Sequence, residues 1–215
     1  MKYKAVFFDL DGTLVNSLQD IGQATNTVLT NNKYPTHSYE AYNFFVGSGL
    51  RTTVARALPE KAITEVEIDR CYQEMMAIYS KDCTQSTIPY NGIVELLDNL
   101  KAKGLKLAVL SNKSDVLTKK IASEIFPNYF EIIQGLSVEN LKKPNPTVAL
   151  QMAQQLGIQP NEILYVGDSG VDMETAVNAE FCAVGVLWGF RPKEELEVTG
   201  AQSLISHPSE ILALL

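Results

Sequence analysis

Apolar residues Ala5, Val6, Phe7 and Phe8 form an unbroken run that stops at Asp9, with the turn chemistry of Asp11-Gly12 just beyond. That pattern predicts a buried strand over residues 4–9. Ile93, Val94, Leu96, Leu97 and Leu100 recur at helical spacing, and Gly104 stands where a C-terminal cap belongs, so residues 93–103 read as a helix. A strand over 105–110, a helix over 115–125 and a strand over 130–134 follow. A helix over 147–156 is bounded by Pro146 and Gly157, and a strand over 163–166 ends at Gly167. A helix over 171–179, a strand over 182–187 and a closing helix over 209–215, just after Pro208, complete the series. Such alternation predicts an α/β fold, a mostly parallel sheet covered on both faces by helices.

Residues 15–83 break the alternation. They offer helical segments near 18–31, 50–58 and 66–82, punctuated by Pro35, Gly47, Gly49 and Pro59, with no convincing strand. The expected organisation is therefore a core built from residues 1–14 and 84–215, with a helical domain, 15–83, inserted after the first strand.

Composition narrows the classes of function. Of 215 residues 46% are hydrophobic and 20% charged, the balance of a globular chain with a sizeable core and not of a disordered one. Eighteen basic residues against 25 acidic give a net charge of −7, which argues against a general binder of nucleic acid or membrane surfaces. Asp9 interrupts the first apolar run long before a signal-peptide core could form, so a cytoplasmic protein is expected. Cys71, Cys83 and Cys182 lack the spacing of a disulfide framework or zinc ribbon and are expected as free thiols. His37 and His207 alone exclude a multi-histidine zinc site.

The candidate chemistry gathers at predicted strand ends. In extended backbone, residues i and i+2 face the same way, so Asp9 and Asp11 project together past the first strand. Ligands bind at that edge of open parallel sheets, and two carboxylates so close favour a shared hard cation such as Mg²⁺. Leu110-Ser111-Asn112 ends the next core strand with a hydroxyl and free N–H groups suited to an anion. Pro144 restricts Lys143 to extended backbone and so sets the direction of its ammonium, whereas Lys142 reads as part of a solvated basic turn. Gly167-Asp168 ends a third strand, and Asp172 lies in the first turn of the following helix. Each residue alone has an ordinary role as turn former, helix cap or dipole partner. Together they place carboxylates, a hydroxyl and a lysine around one crevice.

In this order, Asp9-Leu10-Asp11-Gly12-Thr13, Ser111, Lys143-Pro144 and Gly167-Asp168 with Asp172 resemble the four motifs of the haloacid dehalogenase superfamily of Mg²⁺-dependent phosphohydrolases. The resemblance implies a Rossmann-like doubly wound core, with the insert as a small helical cap. It implies Asp9 as nucleophile and Asp11 as general acid/base. Mg²⁺ would be held by Asp9, Asp168 and the main-chain carbonyl of Asp11, with Asp172 in support. The phosphoryl oxygens would be bound by Gly12, Thr13, Ser111, Asn112 and Lys143. Dehalogenating members lack a counterpart of Asp11, so its presence places this chain with the phosphotransferring branch.

In the insert, Gly47-Ser48-Gly49-Leu50-Arg51 is the most site-like stretch: Ser48 offers a donor, and Arg51 could pair with a substrate carboxylate. It reads equally well as a helix-start loop with a surface arginine. This stretch, Ser111-Asn112-Lys113 and Val186-Leu187-Trp188-Gly189-Phe190-Arg191 resemble the phosphoglycolate phosphatase branch. The implied activity is hydrolysis of a small phosphate monoester through an aspartyl-phosphate. The alternatives are a pyrophosphatase or a sugar-phosphate phosphatase. A β-phosphoglucomutase is disfavoured because the Ser-Arg cap loop of those enzymes is missing. From a different class, a phospho-receiver domain would need neither the insert nor the DxDGT unit, and a non-catalytic binding protein would be expected to have lost a motif residue. The expected partner is a small phosphorylated metabolite, with no nucleic acid and no membrane, for a chain acting as monomer or dimer.

Overall fold

Strand β1 (Ala5–Phe8) is buried along its whole length because it has neighbours on both edges and side chains packed on both faces. A computed structural model describes residues 2–215. After β1 come β2 (Val15–Asn16) and the inserted helices α1 (Leu18–Asn31), α2 (Tyr42–Phe45), α3 (Leu50–Ala57) and α4 (Glu65–Asp82). β3 (Ile88–Pro89) returns to pair antiparallel with β2, so a short ribbon ties the two ends of the insert together. Val15, where the insert is expected to begin, is the first residue of β2, and residue 83, where it is expected to end, precedes β3 (Ile88–Pro89).

The rest of the chain alternates in the expected order, with β4 running four residues past its expected end and β5 two residues further along than expected: α5 (Ile93–Ala102), β4 (Lys106–Ser114), α6 (Asp115–Ile125), β5 (Ile132–Leu136) and α7 (Thr147–Leu156). Then follow β6 (Ile163–Gly167), α8 (Gly170–Asn178), β7 (Cys182–Val186), α9 (Lys193–Val198) and β8 (Ser203–Ile205). The closing segment is a 3-10 turn, Pro208–Ala213, in place of the expected α-helix. The main sheet runs β5-β4-β1-β6-β7-β8, every neighbouring pair parallel.

Alternation along β1 builds two cores. Val6 and Phe8 pack on one face with Leu96 and Leu100 of α5 and Leu117 and Ile121 of α6. Ala5 and Phe7 pack on the other with Met152 of α7, Met173 of α8 and Leu196 of α9. Fully burying a side chain such as Phe7 or Phe8 stabilises by about 1.5–3 kcal/mol each, which holds β1 in register between β4 and β6. These flank β1 on opposite sides, so the chain order reverses there. The crevice at the carboxyl ends of β1, β4 and β6 is the switch point where open α/β sheets bind ligands.

Among the described residues no helix is long and apolar enough to cross a membrane. All three cysteines are free.

Candidate active site

Register alone brings the first two acids together. Phe8 pairs with Val166 across β1 and β6, and the Asp9 N–H donates to the Val166 carbonyl at 2.9 Å, so Asp9 and Asp168 leave adjoining strand ends side by side. Asp172 joins them from the first turn of α8, and the three carboxylates offer oxygens within 4.8 Å of one another. All three are buried. Burial pushes the Asp9 carboxyl up to about 7; Lys143 opposes that rise, and Asp172 and Asp11 add to it. Burial, then the charges of Asp172 and Asp9, hold Asp168 well above the ordinary carboxylate range, despite hydrogen bonds from the Phe190 N–H and the Thr13 hydroxyl.

Lys143 is the counter-ion. Its Nζ lies 3.0 Å from Asp9 Oδ1 and 2.6 Å from Asp172 Oδ1, and it donates to the Leu110 carbonyl at 3.2 Å. Burial would lower its pKa, but Asp172 and Asp9 outweigh that and hold it well above the ordinary value, so the ammonium is retained. Asn112 fixes the backbone that carries it: Asn112 Oδ1 accepts from the Lys143 N–H at 2.8 Å, and Nδ2 donates to the Lys143 carbonyl at 3.3 Å. The Asn112 side chain is thus committed to a peptide, which leaves its main chain for the expected anion contact. Asp172 is committed too, since its Oδ2 accepts from the Ser169 N–H and hydroxyl.

Asp11 has partners that the sequence reading did not assign. Lys113 Nζ donates to both of its carboxylate oxygens at 2.7 Å, and the Ser17 hydroxyl donates to Oδ1. Lys113 is 1% exposed, and Asp11 and Tyr79 raise its pKa against the lowering effect of burial. β4 runs on through Ser114, past its expected end at 110, and so places Lys113 two residues beyond Ser111 on the same side of an extended strand. The Ser111 hydroxyl accepts from the Lys113 N–H at 3.2 Å. Thr13 sends its hydroxyl to Asp168 Oδ1 at 3.2 Å and so orients a carboxylate. Gly12, at φ +86°, approaches Asp168 so closely that a Cβ would stand 2.3 Å from Oδ2.

The insert closes over these groups. Val46, Gly47, Gly49, Leu50 and Thr53 line one side of a narrow cleft and Asp9, Asp11 and Ser111 the other. Ser48 is not among the lining residues, although its neighbours are. Arg51 turns away: its guanidinium pairs with Glu65 and with Asp69 at 2.7 Å, both on α4. Those partners lie well along the chain, so local spacing could not reveal them. Of the expected residues, the structure gathers Asp9, Asp11, Gly12, Thr13, Ser111, Asn112, Lys143, Asp168 and Asp172, and leaves Arg51 outside.

The donor set fits a hard divalent cation. It consists of carboxylate oxygens without histidine or thiol, and Asp9 Oδ1 is buried with no hydrogen-bond donor aligned to it. Asp172 is engaged by Lys143 and Ser169, whereas Asp168 carries only one neutral hydrogen bond on each oxygen, from Thr13 and Phe190, so Asp9 and Asp168 are the side chains that would ligate. With its carboxylate on Lys113, Asp11 has only its main-chain carbonyl to offer.

A doubly wound α/β core with a helical insert over a carboxylate–lysine crevice defines the class of protein. A family model described as haloacid dehalogenase-like hydrolase matches residues 6–186. The chain belongs to that family. It is 34% identical to the phosphoglycolate phosphatase of Aquifex aeolicus, over 99% of this chain and 96% of that one. It is 28% identical to the N-acetylmuramic acid 6-phosphate phosphatase of Pseudomonas aeruginosa, over 100% of this chain and 96% of the relative. A crystal structure from Lactobacillus delbrueckii subsp. bulgaricus superposes with a TM-score of 0.91 at 30% identity, covering 98% of this chain and 97% of its own.

Proposed function

We propose that this chain is a Mg²⁺-dependent phosphatase that hydrolyses a small, phosphoglycolate-like monoester through an aspartyl-phosphate on Asp9, with residues 15–83 as its cap. The observation that carries the reading is Asp9 Oδ1: it is buried without an aligned donor, 3.0 Å from the Lys143 ammonium, in a crevice shared with Ser111 and Asp168. A carboxylate attacks phosphorus only when the repulsion between its charge and the phosphoryl oxygens is neutralised. Lys143 supplies part of that, and Mg²⁺ bound at Asp9 and Asp168 would supply the rest as a Lewis acid. Asp9 Oδ1 forms the bond to phosphorus as the alcohol leaves, and Asp11 protonates that alcohol. Asp11 then takes the proton of the water that cleaves the acyl phosphate. The acid step takes Asp11 in its carboxyl form; once that proton has gone to the alcohol oxygen, Lys113 and Ser17 donate to the carboxylate left behind, as they do in this structure, and it accepts the water's proton. Ser111, Lys143 and the main chain at Gly12 and Asn112 bind the phosphoryl oxygens.

The cleft walls of Val46, Gly47, Gly49, Leu50 and Thr53, which stand close over Asp9, Asp11 and Ser111, support a small leaving group. So do the relatives named phosphoglycolate phosphatase at about 30% identity over nearly the whole chain. A panel of phosphomonoesters ranked by kcat/KM tests this reading. 2-Phosphoglycolate is expected at the top, above sugar 6-phosphates and p-nitrophenyl phosphate. No turnover of any ester with Mg²⁺ present would refute the phosphatase reading; a sugar phosphate ranked first would refute only the substrate.

Cation binding should also be visible in stability. Three buried carboxylates beside one lysine repel one another, and a cation that binds the folded state alone stabilises it by mass action. Mg²⁺ at about 100 times its Kd is worth about 2.7 kcal/mol, or about 5–10 °C in Tm for a chain of this size. Thermal melts with Mg²⁺ and with chelator should show that shift, and Asp168→Asn should lose it. An equal shift in Asp168→Asn would place the cation elsewhere.

A further inference from the structure

Arg191 belongs to the loop after β7, yet it reaches the insert. Its Nη2 donates to the Val46 carbonyl at 2.9 Å and to the Phe44 carbonyl at 3.3 Å. These carbonyls close α2 and begin the Val46–Gly49 turn that covers Asp9, Asp11 and Ser111. Helix C-terminal carbonyls lack intrahelical partners and face a cation favourably, so a guanidinium is well matched to the position. The arginine side chain is only 12% exposed, its Nε 3.8 Å from Glu195 Oε1. Glu195 is itself anchored, accepting from the Gly170 N–H at 2.9 Å at the start of α8. Among the described residues, the other side-chain hydrogen bond from the core to Tyr39–Ala57 is a long one, Lys142 Nζ to Thr52 Oγ1 at 3.4 Å.

The same loop grips the catalytic crevice. The Phe190 N–H donates to Asp168 Oδ2 at 2.8 Å, and Trp188 Nε1 donates to the Thr13 carbonyl at 3.0 Å. Gly189 lies so close to Asp168 that a Cβ there would stand 2.2 Å from the aspartate Cβ. Consecutive residues, Phe190 and Arg191, therefore hold a site carboxylate and the cover of the site. Val46, Gly47 and Gly49 face Asp9, Asp11 and Ser111 across a narrow cleft, so the set of this turn decides how closely an ester's leaving group is enclosed.

We propose that Arg191 is a positioning residue that latches the Val46–Gly49 turn shut over the crevice, and that the Trp188–Arg191 loop ties this closure to Asp168. The latch stands on geometry alone; its kinetic consequence rests on the phosphatase reading above. Closed, the cover excludes water and orients a small leaving group. A bulky aryl ester reacts with the cover displaced and has no use for the latch.

Hydrogen exchange of wild type and Arg191→Ala, read by mass spectrometry, tests the latch without any turnover. Loss of charge-assisted hydrogen bonds of this kind is expected to speed exchange over residues 42–50 by about tenfold or more. Peptides from β1 and β6 should keep their wild-type rates. Arg191→Lys, which retains one donor, should fall between the two. Unchanged exchange over 42–50, or equal acceleration in the core strands, would overturn the proposal. In turnover, Arg191→Ala should lower kcat/KM for the best small ester by about tenfold or more while leaving p-nitrophenyl phosphate within about twofold. A parallel fall on both esters would mark Arg191 as merely structural. If the wild type cleaves neither ester, the phosphatase reading fails, and the exchange result still decides the latch.

Discussion

Asp9→Asn is expected to abolish turnover, with kcat reduced by at least about 10⁴-fold, while the protein stays folded. An amide of the same shape cannot form the acyl phosphate, and no neighbouring carboxylate can replace it. Asp172 has both oxygens engaged by Lys143 and Ser169, Asp168 is held by Thr13 and Phe190, and Asp11 is paired with Lys113. Stability should move the other way. Burial and the charges of Asp172 and Asp11 already lift the Asp9 carboxyl to about 7, so its negative charge is disfavoured in the folded state. Without added cation, the neutral amide should leave Tm unchanged or raise it. Steady-state kinetics and a thermal melt on the same sample check both halves. Retained activity would remove Asp9 from the nucleophile role.

Lys143→Met should carry the largest stability cost. The ammonium is 3% exposed and is the shared partner of Asp9 and Asp172. Removing one partner of a buried ion pair leaves uncompensated charge, which costs about 3–5 kcal/mol. The pH dependence follows from the carboxylates left behind. Burial already raises Asp9, and losing the lysine removes the influence that opposes the rise. A carboxyl whose folded pKa lies above its unfolded value favours folding below that unfolded value, and the benefit is lost as pH rises through the folded pKa. The deficit of the variant against wild type should therefore be largest near and above pH 7 and shrink in acid. Denaturant unfolding at several pH values measures it. A deficit that grows in acid would contradict the pairing. Turnover should be lost in this variant as well.

Much of this architecture is legible along the chain, for identifiable reasons. α1, α6 and α7 begin and end where apolar spacing and the Pro146 and Gly157 punctuation place them. β1 and β6 are apolar throughout because both their faces are buried. β4 outruns its expected end at 110, since Ser111, Asn112 and Lys113 stay extended while facing a polar crevice in place of the core. α2, α9 and β8 span 4, 6 and 3 residues, too few for a period to register.

The site divides in the same way. Asp9, Asp11, Ser111 and Asp168 stand out because chemistry-bearing residues sit in or just past strands that parallel register carries to one edge, and Lys143 because Pro144 marks its turn ahead of α7. The partners that hold them depend on tertiary contact. Ser17 lies on the far side of the turn from Asp11, and Phe190 and Trp188 act through an N–H that any loop residue could offer and through an indole. Arg51 reads from its charge either as a substrate contact or as a surface arginine, and α4 brings Glu65 and Asp69 to it.

The measurement that bears most directly on this account is a single turnover of 2-phosphoglycolate with Mg²⁺, quenched in acid and digested for mass spectrometry. The account predicts a transient phosphoryl group on the peptide spanning Ala5–Thr13, carried by Asp9 and absent from Asp9→Asn. Phosphate release with no modified peptide at any quench time, or with the phosphoryl group on another residue, would contradict it.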